Sequence, residues 1–310
     1  MRRFSAPSFL AGVVVAASLV AVPASALPGS GSAAGLSDSP EGVTPSLSVD
    51  PLSFRLGESI DATTASSDWC DTVGYHSDIP LRLTWSATDA GSGLQGFDVI
   101  EYSDNVLTYE AQDTSQTSFD VRGITYDGQC GGGPGGVRYT VKARDHVGNT
   151  AMSRLSGSSF VSVWQQDGKP NPPYSTYTGD LGVTRVGTWQ TAPCVCFDAG
   201  STWYSTKGGS SLTYAVTTGP GQTFAVVMEK NSNRGRVGIR VNGGAATTVD
   251  TYSSTGKHRV IVWQSQLTEG TSTITVTNQA TAGRPRVDID AVMLTSPPTG
   301  EVPMFLTPDF

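Results

Sequence analysis

Charged side chains and histidines are scarce in this chain of 310 residues: charged residues make up 15%, and there are three histidines. The sequence has 20 Lys and Arg against 27 Asp and Glu, a formal net charge of −7, and no basic block. Proteins that bind nucleic acid or anionic membranes depend on basic patches, so the composition disfavours both partners.

Familiar catalytic signatures are also missing. The sequence has no Gly-x-Ser-x-Gly elbow and no His-Glu-x-x-His zinc motif, and no Gly-Lys-Ser/Thr ending follows the glycine-rich stretch 131–136. Two catalytic carboxylates from distant loops would leave no motif, so a secreted glycan hydrolase stays open as an alternative, as does an esterase. From the missing motifs we expect a protein that is not an enzyme.

Helical periodicity is absent beyond the N-terminus. With 36 glycines, 18 prolines and 37% hydrophobic residues, the chain has too much glycine for a helical bundle but can still build a core. Apolar and polar residues alternate in 81–87, 139–143, 237–241 and 287–293, and Asn242-Gly243 is a typical hairpin turn. The sequence therefore predicts an all-β fold of two antiparallel β-sandwich domains.

Residues 1–26 are typical of a secretory signal peptide. Arg2 and Arg3 precede an apolar run at 10–22, which is short for a bilayer span, and Ala-Ser-Ala at 24–26 fits the cleavage rule. No second long apolar run follows. We expect a secreted, extracellular protein with no membrane span, and any association with the cell wall is expected to be noncovalent.

Stretches rich in glycine, serine and proline divide the remaining chain. Residues 27–45 have almost no apolar side chains and predict a flexible linker. Three prolines at 170–173 interrupt any strand, because proline donates no hydrogen bond to a sheet. We place the first domain at 46–160, the second domain at 161–296 and a C-terminal tail at 297–310.

Two stretches of the first domain resemble the immunoglobulin-like and fibronectin type III-like domains of secreted bacterial proteins. They are LTWSATD at 83–89 and RYTVKARDHVGN at 138–149. The resemblance implies an immunoglobulin-like sandwich. Trp85 is then expected in the core, and Asp89 and Asp145 at strand ends are expected to accept turn N–H groups, with calcium binding as the alternative.

Four cysteines, Cys70, Cys130, Cys194 and Cys196, allow three disulfide pairings. Export favours disulfides over metal thiolates, and one pair in each domain favours Cys70–Cys130 and Cys194–Cys196. In an immunoglobulin-like sandwich the loops that hold Cys70 and Cys130 lie at the same end, which suits the first bond. For Cys194 and Cys196, two free thiols are the other outcome.

The second domain resembles jelly-roll modules of secreted proteins that are related in pattern to carbohydrate-binding modules. The resemblance is carried by GTW at 187–189, GRVGIRVNG at 235–243, TVDTYS at 248–253 and RVDIDAV at 286–292. It implies that aromatic rings hold the apolar faces of sugars while amide or carboxylate groups bind the hydroxyl groups.

The candidate ligand-binding residues that follow from this resemblance are Trp189, Trp203, Tyr204 and Tyr252 as rings, with Asp198 and Asn242 as polar partners. Burial in the core is the alternative for each ring. Because Trp203 and Tyr204 are adjacent, only one of them can face inward if they lie on a strand.

Asp288 and Asp290 project from one face of the final predicted strand. The resemblance to jelly-roll modules with structural calcium makes these two carboxylates candidate calcium ligands. The alternative needs no cofactor: they pair with Arg236, Arg240 or Arg286 on a solvated face.

These patterns together predict a secreted, non-catalytic protein that binds carbohydrate or cell-wall polysaccharide through its second domain, with the first domain as a spacer. The alternative is an extracellular adhesion protein whose partners are other proteins.

Overall fold

The computed structural model describes residues 42–60, 79–103, 106–123, 138–153, 161–169 and 180–295. Within these ranges the regular structure consists of 19 strands and one 3₁₀ turn at Asp198–Gly200. The prediction of an all-β fold with antiparallel sheets is therefore confirmed. In the described part of the chain, no helix has the length and apolar character needed to cross a membrane. The predicted signal peptide, the linker up to residue 41, Cys70, Cys130 and the tail at 297–310 lie outside the described residues.

The first sandwich has eight strands: β1 (Ser46–Val49), β2 (Ser53–Phe54), β3 (Ile79–Thr88), β4 (Leu94–Ser103), β5 (Val106–Thr114), β6 (Ser118–Gly123), β7 (Arg138–Asp145) and β8 (Thr150–Met152). In one sheet β3 pairs with β6 on one side and with β1 and β2 on the other; the second sheet has the order β5-β4-β7-β8. Trp85 is buried in the core, and its ring meets Phe97 edge to face with centroids 5.7 Å apart.

The predicted roles of two turn carboxylates are confirmed. Asp89 accepts hydrogen bonds from the N–H groups of Gly91 and Gly93, at 3.1 and 2.6 Å. Asp145 likewise accepts the N–H groups of two residues of the turn that follows it, at 3.0 and 2.7 Å. Both carboxylates therefore close the turns at the ends of β3 and β7.

The second sandwich contains the strands β9 (Val161–Gln165), β10 (Gly182–Val186), β11 (Gln190–Pro193), β12 (Ser201–Ser205), β13 (Ser211–Thr218), β14 (Thr223–Lys230), β15 (Arg236–Val241), β16 (Thr247–Asp250), β17 (Lys257–Gln266), β18 (Gly270–Asn278) and β19 (Val287–Thr295). One sheet has the order β10-β13-β18-β15-β16, and the other has the order β11-β12-β19-β14-β17, with β9 also paired to β19. Asn242 and Gly243 begin the connection from β15 to β16 with positive φ angles of 50° and 69°, and the N–H of Gly244 donates to the carbonyl of Val241 at 2.9 Å, as in a tight turn.

A continuous apolar core joins the two sandwiches. It contains Phe54 and Val121 of the first sandwich together with Val227, Ile261 and Met293 of the second. Backbone hydrogen bonds reinforce the contact, because the segment after β2 pairs with β17: the N–H of Gly57 donates to the carbonyl of Ile261 at 2.8 Å. Part of the outer face of the β14–β17–β19 sheet is thus covered by the first sandwich.

Strand β19 changes faces part-way along its length. Ile289 pairs with Met228, whereas Ala291 pairs with the preceding residue of β14, so Asp290 is the extra residue of a β-bulge. As a result Ile289 packs in the interior of the second sandwich and Ala291 in the shared core. The prediction that Asp288 and Asp290 lie on a solvated face is wrong, because both residues are 0% exposed.

Candidate functional site

Several connections of the second sandwich meet at one end, which we call the loop end: 187–189, 206–210, 231–235, 251–256 and 279–286. The registers place them there, because the last residue of β12 pairs with the first of β19 and the start of β13 pairs with the end of β18. Antiparallel neighbours alternate in direction, so every second connection returns to the same end.

Tyr252 is the exposed aromatic residue of the loop end, with 49% of its surface accessible. The residue forms a β-bridge with Asn231, and its N–H donates to Asp250 Oδ1 at 3.0 Å. The guanidinium of Arg284 lies over the Tyr252 ring, 4.8 Å from its centroid. A cation at this distance is attracted by the ring's electrons, so the stacking fixes the orientation of the ring.

Asp250 forms the hydrogen bonds that hold Arg284 in place. It accepts two hydrogen bonds from Arg284, at 2.9 and 3.1 Å, and one from Arg236 Nε at 3.2 Å. The hydrogen bonds from Arg284 lower the pKa of the Asp250 carboxyl to about 2. Such a bidentate arginine–carboxylate pair fixes both position and orientation, so the ring above it is pre-organised.

Gly235 allows the neighbouring loops to approach each other closely. A Cβ at this position would lie 2.1 Å from the carbonyl oxygen of Arg284, a contact that no side chain can make. The carbonyl of Gly235 also accepts the N–H and the hydroxyl of Thr251, at 3.0 and 2.7 Å. The loops that carry Tyr252 and Arg284 therefore meet through a glycine.

A buried cluster of ion pairs extends from Arg284 across the outer face of the sheet that carries β14 and β19. Arg284 donates to the carbonyl of Arg234 at 2.8 Å, and the Arg234 side chain pairs with Glu229 at 2.8 Å and with Asp288. Arg286 also binds Asp288, with a shortest distance of 2.6 Å. Burial raises the pKa of Asp288 and the two arginines oppose that shift, so the carboxylate is held between two cations.

Tyr204 lies at the far side of this cluster. The guanidinium of Arg286 stacks over its ring at 4.0 Å, and its hydroxyl donates to the side chain of Gln190. Its neighbour Trp203 packs against the interior core of the second sandwich, so the two adjacent rings face opposite sides as strand alternation requires.

The other candidate residues do not join the loop end as exposed groups. Trp189 and Trp203 are half-buried and pack against the core, and Trp189 Nε1 donates to the carbonyl of Val186 at 3.1 Å. Asn242 lies at the opposite end of the sandwich, where its side-chain oxygen accepts the N–H of Thr273 at 2.7 Å. Asp198 is buried, which excludes it as a residue that meets a ligand at the surface.

The two candidate calcium ligands do not fit a shared metal site. Asp288 is occupied by two guanidinium groups, whereas Asp290 accepts the N–H of Asp198 at 2.9 Å. Burial, followed by the charge of Asp198, raises the pKa of Asp290 well above its usual range. Calcium takes six to eight oxygen ligands. Among the described residues, no group of three or more His, Cys, Asp or Glu side chains is placed to hold a metal ion.

Asp250 and Arg284, the residues that orient Tyr252, are not among the candidates from the sequence. Asp250 is two residues before Tyr252, and Arg284-Pro-Arg286 stands just before β19. This pair of arginines before a strand was the available signal, because arginine guanidinium groups stack on aromatic faces.

No protein-family model matches the chain. Solved structures to which it is similar include the family 35 carbohydrate-binding module from Clostridium thermocellum, at 17% identity and a TM-score of 0.31, covering 38% of this chain and 100% of that chain. A family 35 module from Cellvibrio japonicus Abf62 is 14% identical with a TM-score of 0.32, covering 46% of this chain and 98% of that one. A Podospora anserina β-(1,4)-mannanase with such a module is 18% identical with a TM-score of 0.31. The match covers 46% of this chain and 29% of that chain.

Proposed function

We propose that this is a secreted, non-catalytic protein that binds carbohydrate at the loop end of its second sandwich, where Tyr252 forms the stacking surface. The observation that carries the proposal is the exposed Tyr252 ring, oriented by Arg284 and Asp250. Sugars have weakly apolar C–H faces and polar edges, so they suit a flat ring bordered by charged and hydrogen-bonding groups.

Polar groups for such a ligand lie in the same connection and in the adjoining one. Arg236, which is mostly exposed, pairs with Asp250, and Asn231, which forms the β-bridge with Tyr252, is followed by the exposed Ser232. A guanidinium donates several hydrogen bonds and an amide both donates and accepts, which matches vicinal hydroxyl groups. The loop end therefore offers one apolar face and several hydrogen-bonding groups within a small area.

We assign the first sandwich a supporting role, because it covers part of the outer face of the sheet that carries β14 and β19. The immunoglobulin-like character of this sandwich and retention at a cell wall remain parts of the proposal that come from the sequence. The shared core means that the second sandwich is best tested together with the first.

The test uses the chain from residue 27 onward, with binding measured on insoluble polysaccharides and on a glycan array. Tyr252→Ala is expected to weaken retention at least about ten-fold, or about 1.4 kcal/mol, because the stacking surface is lost. Tyr109→Ala is the matched control: Tyr109 is 45% exposed, a value close to that of Tyr252, but lies on β5 of the first sandwich. It is expected to bind like the unchanged protein.

Two results would contradict the proposal. One is no retention on any glycan by a folded protein; the other is equal loss in both tyrosine variants. Capture of an extracellular protein through Tyr252, unaffected by soluble glycans, would favour the adhesion alternative instead.

A further inference from the structure

A disulfide between Cys194 and Cys196 closes a three-residue loop after β11, with Cα atoms 5.0 Å apart. Val195, the single residue between the cysteines, is 93% exposed, and both cysteines are half-buried. The bond therefore lies at the surface of the second sandwich, at the end opposite the loop end.

The loop is held in place by contacts that do not involve the disulfide. The N–H of Cys194 donates to the carbonyl of Gly200 at 2.9 Å, and the N–H of Phe197 donates to the carbonyl of Cys194 at 3.0 Å. Arg259 donates from one nitrogen to the carbonyls of Val195 and Phe197, at 2.8 and 3.2 Å. Phe197 and Asp198 are buried directly after the loop. None of these contacts uses a sulfur atom, so we expect them to persist when the disulfide opens.

In the chain-entropy model the stabilisation by a disulfide increases with the logarithm of the number of residues that it closes, and this one closes a minimal loop. The stabilisation expected from loop closure is therefore small, and stability alone does not account for the bond.

The two sulfur atoms differ in their surroundings. The N–H of Cys196 donates to Cys194 Sγ at 3.1 Å, and the Arg259 guanidinium lies against the same loop. The N–H donor stabilises a thiolate on Cys194, so Cys194 is the better leaving group and Cys196 is the sulfur that a nucleophile attacks.

We propose that Cys194–Cys196 is a reactive site for thiol–disulfide exchange, with a free thiol as its substrate. The incoming thiolate attacks Cys196 Sγ, a new S–S bond forms, the Cys194–Cys196 bond breaks, and the electron pair leaves on Cys194 Sγ. A second thiolate then attacks the substrate sulfur of the mixed disulfide, the bond to Cys196 Sγ breaks with its electron pair on that sulfur, and the disulfide of the two substrate thiols is released. Two substrate thiols are oxidised, and the two protons that they lose go to Cys194 and Cys196.

The first experiment measures exchange in the chain from residue 27 onward at neutral pH. The protein is equilibrated with about 5 mM reduced and about 0.5 mM oxidised glutathione, alkylated, and mapped by peptide mass spectrometry. We expect more than about half of the Cys194–Cys196 pair to be reduced or glutathionylated, because labile disulfides exchange in such a buffer and structural ones do not. A pair that stays fully oxidised would overturn the proposal.

A second experiment separates the roles of the two sulfur atoms. Cys196→Ser keeps the backbone N–H that faces Cys194, whereas Cys194→Ser leaves Cys196 without that donor. Cys194 is expected to react with iodoacetamide about ten-fold faster at neutral pH than Cys196 does in the matched variant, and to ionise at lower pH. Equal rates, or a faster Cys196, would contradict the assigned direction of attack.

The source of the thiol is distinguished by a parallel arm with a reduced, unfolded protein such as reduced ribonuclease. A mixed disulfide with that protein identifies protein thiols as substrates, and adducts with glutathione alone identify small thiols. The absence of adducts with both would refute the exchange site. The glycan-binding variants are not involved, so this test is independent of the proposed carbohydrate function.

Discussion

Asp288→Asn gives the sharpest test of how the buried ion-pair cluster supports the second sandwich. Asp288 is fully buried and pairs with Arg234 and Arg286, and Arg234 also pairs with Glu229. Removing the Asp288 charge changes this cluster from two cations and two anions to two cations and one anion. The side chain of Arg234 is only 5% exposed, so water cannot replace the lost partner.

Breaking one partner of a buried ion pair costs about 3–5 kcal/mol, because a charge is left without compensation in a low-dielectric interior. We therefore expect Asp288→Asn to raise the unfolding equilibrium constant by about a hundred-fold to several thousand-fold. The measurement is urea unfolding of the chain from residue 27 at neutral pH, followed by tryptophan fluorescence and circular dichroism.

Asp120→Asn is the matched control. Asp120 also binds two arginines, Arg82 at 2.8 Å and Arg55 at 3.3 Å, but its side chain is 43% exposed. Solvent screens the pair, so the expected loss is about 0–1 kcal/mol. Similar losses in both variants would refute the reasoning, because chemistry and partner number are matched and burial alone differs.

Three further outcomes follow from the structure. The pKa of Asp250 is about 2 in the folded protein and about 3.9 in the unfolded chain. The ionised carboxylate therefore stabilises the fold above about pH 4, and this stabilisation is lost as the pH falls through about 2. Asp250→Asn is expected to remove this pH-dependent part of the stability in acid unfolding curves. Gly235→Ala is expected to displace the Arg284 loop and reduce glycan retention, whereas Gly182→Ala, whose Cβ would meet its nearest neighbour at 3.6 Å, is expected to be tolerated. Phe54→Ala is expected to cost about 3–5 kcal/mol and to lower a single calorimetric transition, because Phe54 lies in the core shared by both sandwiches; two separate transitions would contradict that.

The alternation of apolar residues was sufficient to predict the strands. The predicted segments at 81–87, 139–143 and 237–241 lie within β3, β7 and β15, and the Asn242-Gly243 turn has the expected backbone conformation. These features depend on neighbours along the chain, where a period of two residues and the needs of a tight turn leave few alternatives.

The site was only partly predictable, because its parts come from distant positions. Tyr252 was among the candidate rings, but Arg284, the side chain that orients it, follows 32 residues later. The sheet order β18-β15-β16 brings the two loops together. Local pattern shows which residues can stack or pair and gives no information about which loops meet. For the same reason Asn242 was grouped with Tyr252, although the register places it at the opposite end.

Strand β14 shows that the sequence did carry one signal about the contact between the sandwiches. Unlike the alternating strands, residues 224–228 are apolar without interruption, and the whole of β14 is buried except Lys230. An uninterrupted apolar strand in an otherwise alternating antiparallel protein is expected where both faces of the sheet are covered. Here Val226 faces the interior of the second sandwich and Val227 faces the core shared with the first. This part of the sheet face is occupied by the first sandwich and is closed to a ligand, whereas Tyr252 at the loop end is 49% exposed.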